Sequence, residues 1–169
     1  MVWLDVETEK ISKQIFIETP EFGYAHFARS SDGYIVLAGS YDTPKSGSQP
    51  LLSVINPDMS IRALQLPDNS LRGEALSLYL NETEKLMVTT LPVASKVQIW
   101  NYQSGRFLRQ IEIEEPRGLA HSTGQNKLLV SSARTNGFMA LDSQLALRTA
   151  NPFATSLGGS GSHLYRLKI

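Results

Sequence analysis

Val97–Ile113, VQIWNYQSGRFLRQIEI, is the stretch from which the rest of the chain can be read. Val97–Trp100 reads as a strand, Asn101–Arg106 as a tight polar turn, and Phe107–Ile113 as the returning strand. Both halves show β-branched or aromatic alternation, and Ser104-Gly105 supplies residues that turn a backbone sharply. The unit is a β-hairpin.

It recurs. Shifted by 96 positions, Met1–Ile17 matches Val97–Ile113 without a gap, placing Lys13 on Arg109 and Pro20 on Pro116. A third copy is Leu51–Leu66 and a shorter fourth is Phe138–Leu147. The first strand of each copy ends on Asp5, Asn56, Asn101 or Asp142, spaced 51, 45 and 41 residues apart. Asp and Asn suit that place because their side chains bond the nearby backbone and start turns. A second unit alternates with the first. His26–Ala28 and Tyr34–Ala38 flank Ser31-Asp32-Gly33, Ala75–Leu80 and Leu86–Thr90 flank a polar turn, and so do Leu119–Ser122 and Leu128–Ser131.

A period of about 40 to 50 residues holding four short strands is the signature of a β-propeller blade. No segment sustains a 3.6-residue period, so almost no helix is expected. The expectation is an all-β propeller arc with whole blades at about 25–66, 75–113 and 118–149. Partial blades are expected at 1–18 and 161–169. Closed propellers use about four to eight blades. The arc therefore calls for missing blades or a second copy of the chain, and Met1 falling mid-blade favours the C-terminal half of a larger ring.

Composition narrows the function classes. The 169 residues carry 16 basic and 16 acidic side chains, and this balance gives no support to a nucleic-acid or anionic-membrane footprint. There is no cysteine, which excludes disulfides and thiolate chemistry within the chain. No apolar run reaches the roughly 18 residues of a membrane span. Met1–Lys10 has no basic region followed by an apolar one, so no signal peptide is expected, and a cytoplasmic location follows if the sequence is complete.

In a meandering blade the first-to-second and third-to-fourth strand turns share one face, and the remaining connections share the other. The first set is uniformly tight. The second reads as long and varied, including Ser40–Pro50, Pro67–Glu74 and Thr90–Lys96, so a site is expected on that face. Phe22, Tyr24, Tyr41, Arg72 and Arg117 are the candidate partner surface there. His26 and His163 both read as opening an inner strand at the channel mouth, where imidazoles could contribute to a metal site. Structural hydrogen bonding is the competing role for them. Gly158–Ser162 has neither the G-x-S-x-G spacing nor that of G-x-G-x-x-G, and no catalytic residue or cofactor is assigned.

Taken in order, these motifs resemble a twin-arginine-exported bacterial propeller family of unknown function, domain of unknown function fifteen-thirteen. Val2–Asp5, Tyr24–Ala28, Lys96–Leu108 and Ser162–Leu164 are similar to its hairpin, inner-strand and closing motifs. Arg117 stands where the family often has a cysteine, and Gly161-Ser162 where it usually has Asp-Asn. The resemblance implies a seven-bladed ring of the quinoprotein amine dehydrogenase-like, YVTN type, of which this is the second half. It also implies a periplasmic location and a scaffold role linked to iron uptake. The expected function is a non-enzymatic binding module with a protein partner. The alternatives are a channel-site enzyme of lactonase or amine dehydrogenase-subunit type, and a fragment without independent function.

Overall fold

The computed structural model describes residues 1–16, 22–41, 51–68, 73–122, 126–134 and 137–147. Within them the chain is all antiparallel sheet, and no helix occurs among the described residues. β1 (Val2–Asp5) and β2 (Lys10–Gln14) form a two-stranded first blade. β3 (Phe22–Arg29), β4 (Ile35–Tyr41), β5 (Leu51–Ile55) and β6 (Ile61–Ala63) form the second in simple meander order. β7 (Ser77–Asn81), β8 (Leu86–Leu91), β9 (Lys96–Asn101) and β10 (Arg106–Glu112) repeat that order in the third. β11 (Pro116–Ser122), β12 (Lys127–Ser132) and β13 (Gly137–Leu141) form the fourth, and among the described residues its outer position carries one bridge, from Leu141 to Leu147.

The turn chemistry read from the sequence is visible in the hydrogen bonds. Asp5 Oδ1 accepts the backbone N–H of Glu7 and Thr8, at 3.1 and 2.8 Å. Asn101 Oδ1 accepts that of Ser104 at 2.8 Å, and Asp142 Oδ1 those of Gln144 and Ala146 at 2.9 and 2.8 Å. The second blade varies the device: Asn56 Nδ2 donates to Ser60 Oγ at 2.8 Å, and Asp58 takes the Ser60 backbone N–H at 2.9 Å. Thr90–Lys96, expected as a long loop, is a tight turn. β8 and β9 stay paired out to Leu91 and Lys96, and Ser95 turns the chain back with a φ of 53° and an N–H to Pro92 O at 3.1 Å.

Strand alternation sends successive side chains into different interfaces. On β4, Ile35 and Leu37 face the first blade with Ile55, while Val36 and Ala38 face the third with Leu52 and Val54. On β8 and β9, Met87, Leu91 and Trp100 turn towards the second blade, and Val88, Val97 and Ile99 towards the fourth. Central strands buried on both faces read as nearly continuous apolar runs, which explains LMVTTL and KVQIWN. Trp100, 1% exposed, packs edge-on against Phe107 at 5.2 Å between ring centroids. Trp3, at the neighbouring position of the equivalent strand two hairpins earlier, lies partly exposed against the cluster shared by the first two blades.

A polar seam on the tight-turn face joins the second and third blades. Asp32, in the β3–β4 turn, receives Lys85 Nζ at 3.0 Å and Gln103 Nε2 at 2.9 Å from two turns of the third blade. Ser31 donates its N–H and hydroxyl to Glu82 in the other direction. The Tyr34 and Tyr102 rings meet beneath the seam at 5.5 Å. Outside it, Arg62 on β6 donates one guanidinium nitrogen to the carbonyls of Tyr102 and Gln103, at 3.0 and 2.8 Å. Gly105, at φ 71°, keeps that approach open, since a Cβ there would sit 2.8 Å from Arg62 Nε. Arg109 on β10 makes the same reach one blade later, to the carbonyl of Gln144. Gln103 and Gln144 hold the same place in their turns, two residues beyond Asn101 and Asp142.

Two outcomes follow. Trp100→Ala, which removes the largest side chain from the interface between the second and third blades, should cost about 3–5 kcal/mol, read as a lowered urea midpoint. Hydrogen bonds from Ser30, Lys85 and Gln103 hold the Asp32 carboxyl below the usual carboxylate range. A lowered folded-state pKa adds stability above the unfolded value of about 4 and loses it as pH falls through the folded value. Wild type should therefore exceed Asp32→Asn in stability at pH 6, with the two converging near pH 2. A constant difference across that range would contradict the seam's role.

Candidate functional site

The junction between the third and fourth blades differs from the preceding one at two described positions that border a cleft. Tyr102 follows Asn101 at the end of β9; the residue following Asp142 is Ser143. Lys85 closes the β7–β8 turn in the left-handed region at φ 56°, and Asn126 closes the β11–β12 turn at φ 48°. A buried phenol ring and a lysine are thus replaced by a hydroxymethyl group and a neutral amide. Between these turns lies a cleft of about 480 Å³. That volume is within the range of small-molecule sites.

Its walls come from three strands and three turns. Tyr79 on β7 and His121 on β11 stack across the junction, with centroids 5.6 Å apart and planes 17° apart. Leu128 and Leu145 supply apolar wall, and Asn81, Glu82, Glu84, Asn126 and Asp142 supply polar rim. Partial burial raises the Tyr79 phenol above its ordinary pKa, which keeps it a neutral donor and acceptor at physiological pH. The Ser31 hydroxyl and N–H hold the Glu82 carboxyl below its ordinary value, so it carries a full charge there. Asp142 is already engaged by its own turn. The chemistry on offer is recognition: stacked rings, an apolar wall and a negative rim. No group of three or more potential metal ligands occurs among the described residues.

The sequence-derived candidates fall elsewhere. Phe22 and Tyr41 are register partners at one end of the β3–β4 pair, on the face opposite the cleft. Tyr24 belongs to the packing of the first and second blades: its ring lies against their shared cluster, its hydroxyl is 2.6 Å from Ser53 Oγ, and burial raises its pKa. Arg117 lies at the far end of β11 from His121; its carbonyl accepts the Thr90 hydroxyl at 2.7 Å, and its Nε is buried without a hydrogen-bond partner. Arg72 and His163 lie outside the described residues. His26 sits in the middle of β3, since a bulge between Tyr24 and His26 lets the strand begin at Phe22. The sequence signal for the cleft lies in the aligned hairpins, which put Ser143 under Tyr102, an exchange of large for small at a repeat position.

The comparisons agree with this architecture. Solved structures similar to the chain include a catalytically inactive virginiamycin B lyase from Staphylococcus aureus with Quinupristin, at 14% identity and a TM-score of 0.65. The match covers 89% of this chain and 48% of the lyase, so the chain spans about half the length of that relative. The extracellular domain of the one-component system BT4673 from B. thetaiotaomicron is similar at 13% identity and a TM-score of 0.64, over 96% of this chain and 22% of that one. Hydrazine synthase from Kuenenia stuttgartiensis is similar at 11% identity and a TM-score of 0.60, over 79% and 37%. At these identities the likeness shows the fold alone. No curated protein is similar enough in sequence to count as a relative. A family model described as "Protein of unknown function (DUF1513)" matches residues 1–157. The chain is an arc of β-propeller blades and belongs to the DUF1513 family.

Proposed function

We propose that the chain is a non-enzymatic binding module, working in the bacterial envelope as part of a completed propeller ring and receiving its ligand in the cleft between the third and fourth blades. The observation that carries this reading is the cleft itself. The equivalent space at the preceding junction is filled by Tyr102 and by the Lys85–Asp32 pair, whereas here the repeat is relaxed and stacked rings and carboxylates line the opening. A close-packed interior gives up dispersion contacts wherever it leaves such a space, so a retained one is a cost that ligand binding offsets. The ring is completed by further blades or by a second copy, covering the exposed Val2, Leu4 and Ile11 of the first blade. A protein partner on the opposite face and a link to iron uptake are compatible with this reading and rest on the family resemblance.

Ser143→Tyr tests the reading, because it restores at this junction the side chain that fills the other. Thermal denaturation should be followed against a panel of small organic cations, sugars and carboxylic acids, with circular dichroism confirming that the variant is folded. The expected result is that panel members raising the wild-type midpoint leave the variant's unchanged, and that mass spectrometry recovers them intact. A bound compound converted to product would overturn the non-enzymatic reading. Shifts equal in wild type and variant would overturn the assignment to the cleft.

A further inference from the structure

The two blade junctions differ in one chemical respect that names a ligand class. At the junction of the second and third blades, the upstream turn supplies a carboxylate, Asp32, and the downstream turn supplies an ammonium, Lys85 Nζ, 3.0 Å away. At the next junction the upstream turn again supplies carboxylates, Glu82 and Glu84. The downstream position that held the lysine holds Asn126, and among the described residues no lysine or arginine lines the cleft. The acid half of the pair is kept, and the cation and the ring beside it are lost. The first junction therefore shows, within the same chain, what that arrangement binds.

We propose that the cleft binds an alkylammonium group: the ligand places its ammonium among the Glu82–Glu84 carboxylates, as Lys85 does beside Asp32, and lays its alkyl stem along Leu128, Leu145 and the Tyr79 ring. The inference rests on the binding-module reading above and sharpens it. The stem matters as much as the charge. The apolar wall shields one side of a methylene chain from water, while the rim carboxylates remain near water where charge pairs are individually weak. Glu84 is the carboxylate best placed to answer the ligand. Glu82 is already bonded to Ser31, and Asp142 to the N–H groups of its own turn. Tyr79 and His121, held parallel, present a flat wall beside the stem. The same chemistry is offered by a free aliphatic diamine and by a lysine side chain on a partner.

Isothermal titration of the full chain with three probes separates these cases: 1,5-diaminopentane, an Nα-acetyl-lysine amide peptide, and 1,5-pentanediol as the neutral isostere. The expected result is binding of at least one amine, weakened in 0.5 M salt, absent for the diol and lost in Ser143→Tyr. Glu84→Gln, which leaves the cleft's volume unchanged, should weaken amine binding about two- to fivefold. Preference for the peptide over the diamine assigns the ammonium to a protein partner, and the reverse assigns it to a free amine. Equal binding of the diol, or an unchanged affinity in Glu84→Gln, overturns the ammonium assignment while leaving a binding cleft. If neither amine binds although other compounds of the broader panel are retained by the cleft, the ligand class is wrong and the binding module stands.

Discussion

The structure depends on a constraint that follows from strand geometry: a blade four strands thick has no core of its own. Each central strand points alternate side chains to opposite faces, so every blade is stabilised only by the neighbours it packs against. The third blade has neighbours on both sides and holds the most complete interior, with Trp100, Tyr102, Met87, Leu91 and Ile99 all at or below 1% exposure. The first blade has one neighbour, and Val2, Leu4, Val6 and Ile11 are each more than half exposed. Burial of apolar area drives the stacking without setting the angular register between blades. Directional bonds do that. Asp32, Lys85 and Gln103 join the turns on one face, while Arg62 grips two carbonyls and Arg109 one in the next blade's outer turn.

Much of this was legible in the residues. The Asp or Asn that ends the first strand of each hairpin announced its turn, because a short polar side chain bonding its own backbone is a local event. The blade repeat followed from those turns. What escaped reading was nonlocal. Nothing in the spacing of Arg62 says that its guanidinium spans two carbonyls 40 and 41 residues further on. Tyr24 looked available for a partner, yet a register shift at the neighbouring bulge accompanies its ring turning into packing and its hydroxyl towards Ser53. Thr90–Lys96 looked like a loop because Pro92 interrupts the apolar pattern, while the strands either side remain paired to the turn.

The cleft shows how a repeat fold opens a space between blades without new architecture. The blade junctions share one packing pattern, and where Tyr102 and Lys85 of one junction are matched by Ser143 and Asn126 in the next, a filled junction gives way to an open one. The scaffold tolerates it because the Val88, Val97, Ile99 and Leu119 cluster lies deeper in the same interface and remains intact. The rim of the cleft comes from turns, and its wall from the Tyr79 and His121 rings with Leu128 and Leu145.

Hydrogen exchange read peptide by peptide on the isolated chain is the most direct test of the claim that each blade is stabilised by its neighbours and not by itself. The account predicts a gradient: amides of β8 and β9 exchange slowest, those of β4, β5 and β12 are intermediate, and those of β1 and β2 exchange close to the rate of an open hairpin. Equal protection of β1–β2 and β8–β9 would contradict it. The blades would then be stable units in their own right, and the seams between them would be consequences of the fold with no part in holding it together.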